Sequence, residues 1–178
     1  GAELFVVDDG WFGRRTPGED GGTLDGLGDW WVDPGKFPDG LAPLIDEVHG
    51  LGMQFGIWVE PEMVNPQSDL FAAHPDWIYH EAGRESDLAR GQYVLNLTRP
   101  DVRIYVLGAL DSLLNDYDIA YLKWDANRPM SQVGAARDVW YRHIEAVYDI
   151  AAELKIRHPG LLIEACASGG GRIDFGTL

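Results

Sequence analysis

Short apolar runs alternate along this chain with longer segments whose apolar residues recur every three or four positions. The runs read as parallel strands, and the periodic segments as helices packed over them. Strands are predicted at 4–7 (Leu-Phe-Val-Val), 54–59 (Gln-Phe-Gly-Ile-Trp-Val), 121–125 (Tyr-Leu-Lys-Trp-Asp) and 161–166 (Leu-Leu-Ile-Glu-Ala-Cys). A helix is predicted at 39–50, where Leu41, Leu44, Ile45 and Val48 share a face and Gly50 and Gly52 mark the stop. A second is predicted at 101–115, capped by Thr98 with Pro100 in its first turn, and a third at 136–157, ended by Pro159. Residues 13–35 read as a long Gly- and Asp-rich loop carrying Trp30 and Trp31, 69–74 as one helical turn, and 93–97 as an extended lead into the next helix.

Alternation of strand and helix implies an α/β fold, a parallel sheet with right-handed crossovers. Each predicted strand ends in polar, aromatic or glycine residues: Asp8-Asp9, Trp58 to Glu62, Lys123 to Asn127, and Glu164 to Gly171. Barrel enzymes place their active sites at that edge, but doubly wound nucleotide binders do so too. The pattern alone therefore leaves both open.

Length and charge narrow the field. A (β/α)₈ barrel takes about 250 residues, and this chain has 178. It begins without Met and stops at Leu178, just after a glycine-rich turn, so both ends read as cut. A net charge of −15 argues against nucleic acid or an anionic membrane surface as partner. A single cysteine, Cys166, excludes an internal disulfide and a multi-cysteine zinc site. With no leader visible and no apolar run near the ~20 residues of a membrane span, the expected compartment is the cytoplasm.

The strand at 121–125 carries the most informative chemistry. Side chains alternate along a strand, so Lys123 and Asp125 share one face and Leu122 and Trp124 the other. The neighbouring ammonium is expected to hold Asp125 ionised, ready to act as nucleophile, base or metal ligand. A magnesium site on Asp9, Glu60 and Asp125 is one reading, as in a barrel lyase. It is disfavoured because Lys123 and Trp58 point into the same space and a lysine competes with a cation. Ser168-Gly-Gly-Gly171 matches neither common phosphate-binding pattern. A carbohydrate site fits better: Asp8, Asp9, Arg90, Lys123 and Asn127 suit hydroxyls, and Trp11 and Trp58 suit the apolar face of a sugar ring. Trp31, Trp77 and Trp140 are expected only to pack under loops. The five histidines share no motif and are not expected to be ligands or triad members, Cys166 reads as a pocket wall, and Asn96-Leu-Thr98 fits either a glycosylation acceptor or the helix cap.

Five blocks, taken together and in order, carry a resemblance. They are Asp8-Asp-Gly-Trp-Phe-Gly13, Phe55-Gly-Ile-Trp-Val-Glu-Pro-Glu-Met63, His74-Pro-Asp-Trp77, Tyr121-Leu-Lys-Trp-Asp-Ala-Asn-Arg128 and Cys166-Ala-Ser-Gly-Gly-Gly-Arg172. The chain resembles the α-galactosidases of glycoside hydrolase family 36 from Leu4 to Gly176. The resemblance implies a partial (β/α)₈ TIM barrel, about four consecutive βα units of one catalytic domain. It also implies a retaining hydrolase of terminal α-linked galactose in oligosaccharides of the melibiose and raffinose type, without metal or organic cofactor. Asp125 falls on the family's nucleophile. Asp8 and Asp9 fall on aspartates that grip galactose hydroxyls, and Trp58 on the subsite wall. Arg90, Lys123, Asn127, Cys166 and Gly169 fall on further sugar contacts.

Two departures stand out. Ala167-Ser168 replaces a Ser-Gly pair common in the family, which bears on the backbone path at Cys166 and Gly169. The family's acid/base aspartate lies beyond Leu178, so the isolated piece is expected to be inactive. Galactosyl transfer, action on N-acetylgalactosamine, a non-catalytic sugar-binding barrel and homo-oligomerisation of the full-length enzyme remain open on these grounds.

Overall fold

A computed structural model of the chain describes residues 1–14, 26–134, 137–172, 174 and 176. Four strands form one parallel sheet: β1 (Leu4–Val7), β2 (Gln54–Val59), β5 (Tyr121–Trp124) and β6 (Leu162–Ala165), in the order β1-β2-β5-β6. Two short strands, β3 (Met63–Val64) and β4 (Tyr93–Val94), pair antiparallel beyond the end of β2. The helices are α1 (Ala42–Gly50), α2 (Asp69–Ala73), α3 (Pro100–Asp116) and α4 (Val139–Arg157), with a 3₁₀ turn at Pro75–Trp77.

The strand order decides between the two architectures that the sequence pattern permits. It never reverses direction, so the right-handed crossovers through α1, α3 and α4 all fall on one side of the sheet. A doubly wound sheet needs a reversal and covers both faces. The fold is a partial α/β barrel. Its helix-covered face carries Phe55, Ile57, Val59, Leu122 and Trp124, all buried in one core with Ile45, Val48, Val106, Leu110, Ile150 and Leu154 of the helices.

The opposite face carries the strands' charged side chains, Lys123 and Glu164. Register places Trp58 beside Lys123 and Lys123 beside Glu164 across three strands. On this face Gly56 lies between neighbours so close that a Cβ would stand 3.0 Å from Tyr121 and 3.1 Å from Val6. The ladder continues past the strands: Asp125 donates its N–H to Val59 O at 2.8 Å, and Cys166 to Trp124 O at 2.8 Å. Both side chains are thus fixed at the C-terminal edge by backbone bonds.

Three local expectations are corrected. Thr98 does not cap α3, which starts after Arg99 without a side-chain cap. Thr98 instead folds onto Asn96 Oδ1 through its N–H at 3.1 Å and its hydroxyl at 2.5 Å, the local turn these residue types favour. The stretch at 93–97 contains a strand, Tyr93–Val94, paired with β3. Helix α4 begins at Val139 rather than 136; residues 135–136 lie outside the described residues, as does 15–25 of the long loop.

Candidate active site

Asp125 is the centre of the polar strand ends and is only 7% exposed. Its Oδ2 accepts Trp58 Nε1 at 3.1 Å and Asn127 Nδ2 at 2.6 Å, and its Oδ1 accepts the Ala126 N–H at 2.9 Å. Burial favours the neutral acid, but the bonds from Trp58, Asn127, the Cys166 thiol and Ala126 outweigh it and hold the carboxyl below its usual range. The carboxylate is ionised and aimed. Burial, with the neighbouring Asp125 charge, raises the Cys166 thiol, so it stays a protonated donor.

Lys123 has a different partner from the one its spacing suggests. Its ammonium donates to Asp8 Oδ2 at 2.9 Å, joining β5 to the end of β1. Asp8 also accepts the Asp9 N–H at 2.8 Å, and these bonds lower it despite partial burial. The bond to Asp8 in turn raises Lys123. The donors that hold Asp125 ionised are therefore an indole, an amide, a thiol and a backbone N–H, a correction to the expectation that Lys123 does so.

Of the predicted site residues, Lys123 pairs with Asp8 while Trp58, Asn127 and Cys166 pair with Asp125, and Asp9 stands exposed beside Asp8. Gly169 lies in the turn after Cys166 at φ +92, with open space where a Cβ would be. Ser168, where the family often has glycine, adopts φ +48 itself, the left-handed conformation that glycine takes freely. Its hydroxyl donates to Asn127 Oδ1 at 3.0 Å. Arg90 is exposed on the turn Ala89–Gln92 at φ +55, and among the described residues no hydrogen bond or ion pair ties it to the cluster. Asp9, Glu60 and Asp125 form no three-ligand group among the described residues.

The tryptophans sort differently from expectation. Trp11 is buried, with Phe12 and Trp30 around it and its Nε1 donating to Trp58 O at 2.8 Å. It supports Trp58 rather than offering a stacking face. Trp77 packs against His74 as expected, at 3.9 Å between centroids. Trp31 and Trp140 are exposed, contrary to a packing role under loops.

A family model described as Melibiase matches residues 1–178. The chain belongs to the melibiase family. It is 46% identical to an α-galactosidase of Escherichia coli over 182 residues, covering all of this chain and 25% of that protein. Two solved structures of the GH36 α-galactosidase AgaA from Geobacillus stearothermophilus are similar as well. One, in complex with raffinose, superposes with a TM-score of 0.89 at 41% identity, covering 99% of this chain and 25% of that one. The other, in complex with stachyose, gives 0.88 at 40%, with the same coverage. This melibiase-family chain thus spans about a quarter of the length of the relatives it matches.

Sequence reasoning misses a buried polar network behind the site. Glu62 accepts Trp124 Nε1 at 2.8 Å and Arg172 Nη1, and lies 2.8 Å from His143 Nε2. His143 Nδ1 meets Tyr79 OH at 3.0 Å. Although buried, Glu62 is drawn down to about 2 by His143 and Arg172. An ionised carboxylate only accepts, so His143 Nε2 carries hydrogen toward it. His143 ties α4 to the β2–β3 connection, a structural part that its sequence context does not announce. Nothing in its sequence spacing signals this, whereas the pair Glu60-Pro-Glu62 at a strand end gives some warning. The described helices include none long and apolar enough to cross a membrane.

Proposed function

We propose that these 178 residues are part of a single (β/α)₈ catalytic domain and that the whole protein is a retaining α-galactosidase. The observation that carries the mechanism is Asp125, buried, ionised and held by four donors at the C-terminal edge of a parallel sheet. In the first step an Asp125 oxygen attacks the anomeric carbon of a terminal α-galactoside. The glycosidic C–O bond breaks, its electron pair leaves with the aglycone oxygen, and a general acid protonates that oxygen. In the second step the resulting base deprotonates a water that attacks the galactosyl ester, releasing galactose and restoring the Asp125 carboxylate.

Retention by this route needs a second carboxyl about 5 to 5.5 Å from the first. The family resemblance assigns that acid to a residue outside this stretch. Asp8, with Asp9 beside it, suits galactose hydroxyls, and Lys123 keeps Asp8 charged. Trp58 and Cys166 give the subsite its walls while donating to Asp125. Short raffinose-type oligosaccharides are the proposed substrates, in keeping with the sugars bound by AgaA.

The test uses the full-length protein. It is expected to release galactose from raffinose, and a fluorinated galactosyl inactivator should label the peptide containing Asp125. Label on Glu60 would overturn the assignment, and absence of galactose release would overturn the function.

A further inference from the structure

We propose that Glu60 is a positioning residue for the nucleophile, acting through Asn127 at the centre of a closed hydrogen-bonded ring. This rests on the reading of Asp125 given above. Glu60 is 1% exposed and directs no oxygen to solvent. Its Oε1 accepts the backbone N–H of Asn127, and its Oε2 accepts Gln92 Nε2 at 2.8 Å. The Gln92 carbonyl in turn accepts Arg128 Nη1 at 2.7 Å. Arg128 follows Asn127 in the chain, so the ring closes through one peptide bond.

The ring joins the end of β2, the turn at 89–92 and the end of β5. Its output is Asn127, whose amide nitrogen stands 2.6 Å from Asp125 Oδ2 and whose amide oxygen accepts Ser168 Oγ at 3.0 Å. Both arms of Asn127 are occupied, so a shift of its backbone moves the donor away from Asp125 and releases the glycine-rich turn. Misplacement of about 1 Å at a catalytic group costs up to ~10²-fold in rate. Burial and the nearby Asp125 charge also push Glu60 up to about 7, which suits a group serving as an acceptor within the ring without adding a full second charge beside the nucleophile.

Gln92 Oε1 is buried without a partner. The amide can therefore turn over to accept from a glutamine at position 60, and Glu60→Gln should preserve the ring. Turnover of an aryl α-galactoside and the inactivation rate with the fluorinated galactosyl reagent should be measured on full-length protein. Glu60→Ala is expected to lower kcat and the inactivation rate together by about 30- to 100-fold, with KM within about threefold. Glu60→Gln is expected to restore both to within about threefold of wild type.

Gln92→Met, which cuts one arm of the ring, should lower kcat about three- to tenfold and serves if Glu60→Ala does not fold. A folded Glu60→Ala protein with wild-type kcat overturns the inference, and so does a folded Gln92→Met protein with wild-type kcat. Loss of activity in folded Glu60→Gln as deep as in Glu60→Ala would make Glu60 a proton donor or nucleophile and overturns it too. Inactive wild-type protein would instead refute the proposed function, so the two failures are distinguishable.

Discussion

Lys123 and Asp125 stand two positions apart on one strand face, yet they serve different partners. The lysine reaches across to Asp8 just past β1, and the aspartate is held by Trp58 on β2, Asn127 in its own loop and Cys166 just past β6. This separates the two tasks of a sugar site, since the charge that orients hydroxyls is distinct from the charge that attacks. Hydrogen bonds to charged groups contribute about 1.5–3 kcal/mol, or roughly tenfold to a hundredfold in affinity. Lys123→Met is therefore expected to raise KM for raffinose by about tenfold or more in the full-length enzyme. The effect on the labelling rate of Asp125 should be smaller. Steady-state kinetics with raffinose, beside inactivation rates, would show whether the lysine acts on binding through Asp8.

At the scale of elements, the second half of the Phe55–Met63 block is a junction. Glu60 faces the β5 loop and Glu62 faces α4 and the glycine-rich turn, with Pro61 between them. A continued strand would put residues two apart on one face; here the chain turns at Pro61 and Glu62, with the Met63 N–H bonded to Glu60 O at 3.1 Å, and the turn sends the two carboxylates to different structural neighbours. Removing a donor from a buried carboxylate costs about 1–3 kcal/mol, more for a charged group, because its desolvation is no longer offset. His143→Leu should destabilise by about 3 kcal/mol, with Arg172 still covering part of Glu62. Urea unfolding of the full-length protein measures the loss. Faster amide exchange in α4 and around Met63 would trace it to this junction.

For the whole molecule, the two glutamates have opposite consequences for pH. Glu60 titrates near 7 when folded, against an ordinary value of 4.5. Between those values the folded state binds more protons than the unfolded chain, so stability falls as pH rises from about 4.5 to 7. The full effect is about 3 kcal/mol. Glu62, drawn down to about 2, contributes stability that is present above 4.5 and lost as pH falls toward 2. Denaturation midpoints of the full-length protein should decline from pH 5 to 7, and Glu60→Gln should flatten that limb without altering the acid one. An unchanged slope in the variant would assign the decline to other groups.

Much of this is legible in the residues themselves. The four strands of the sheet announce themselves as short apolar runs, and the two-residue period by itself puts Lys123 and Asp125 on one face. The five motif blocks give the family. These are local signals, carried by neighbours in sequence. What the tertiary structure decided is which distant groups meet. A strand order without reversal makes the sheet part of a barrel rather than doubly wound. Glu60 meets Gln92 across 32 positions, and Glu62 meets His143 across 81. No periodicity records such contacts, because a buried carboxylate takes whatever donor the packing of separate elements brings within reach. Sequence placed Asp125 at the strand end, and packing chose the donors that keep it charged.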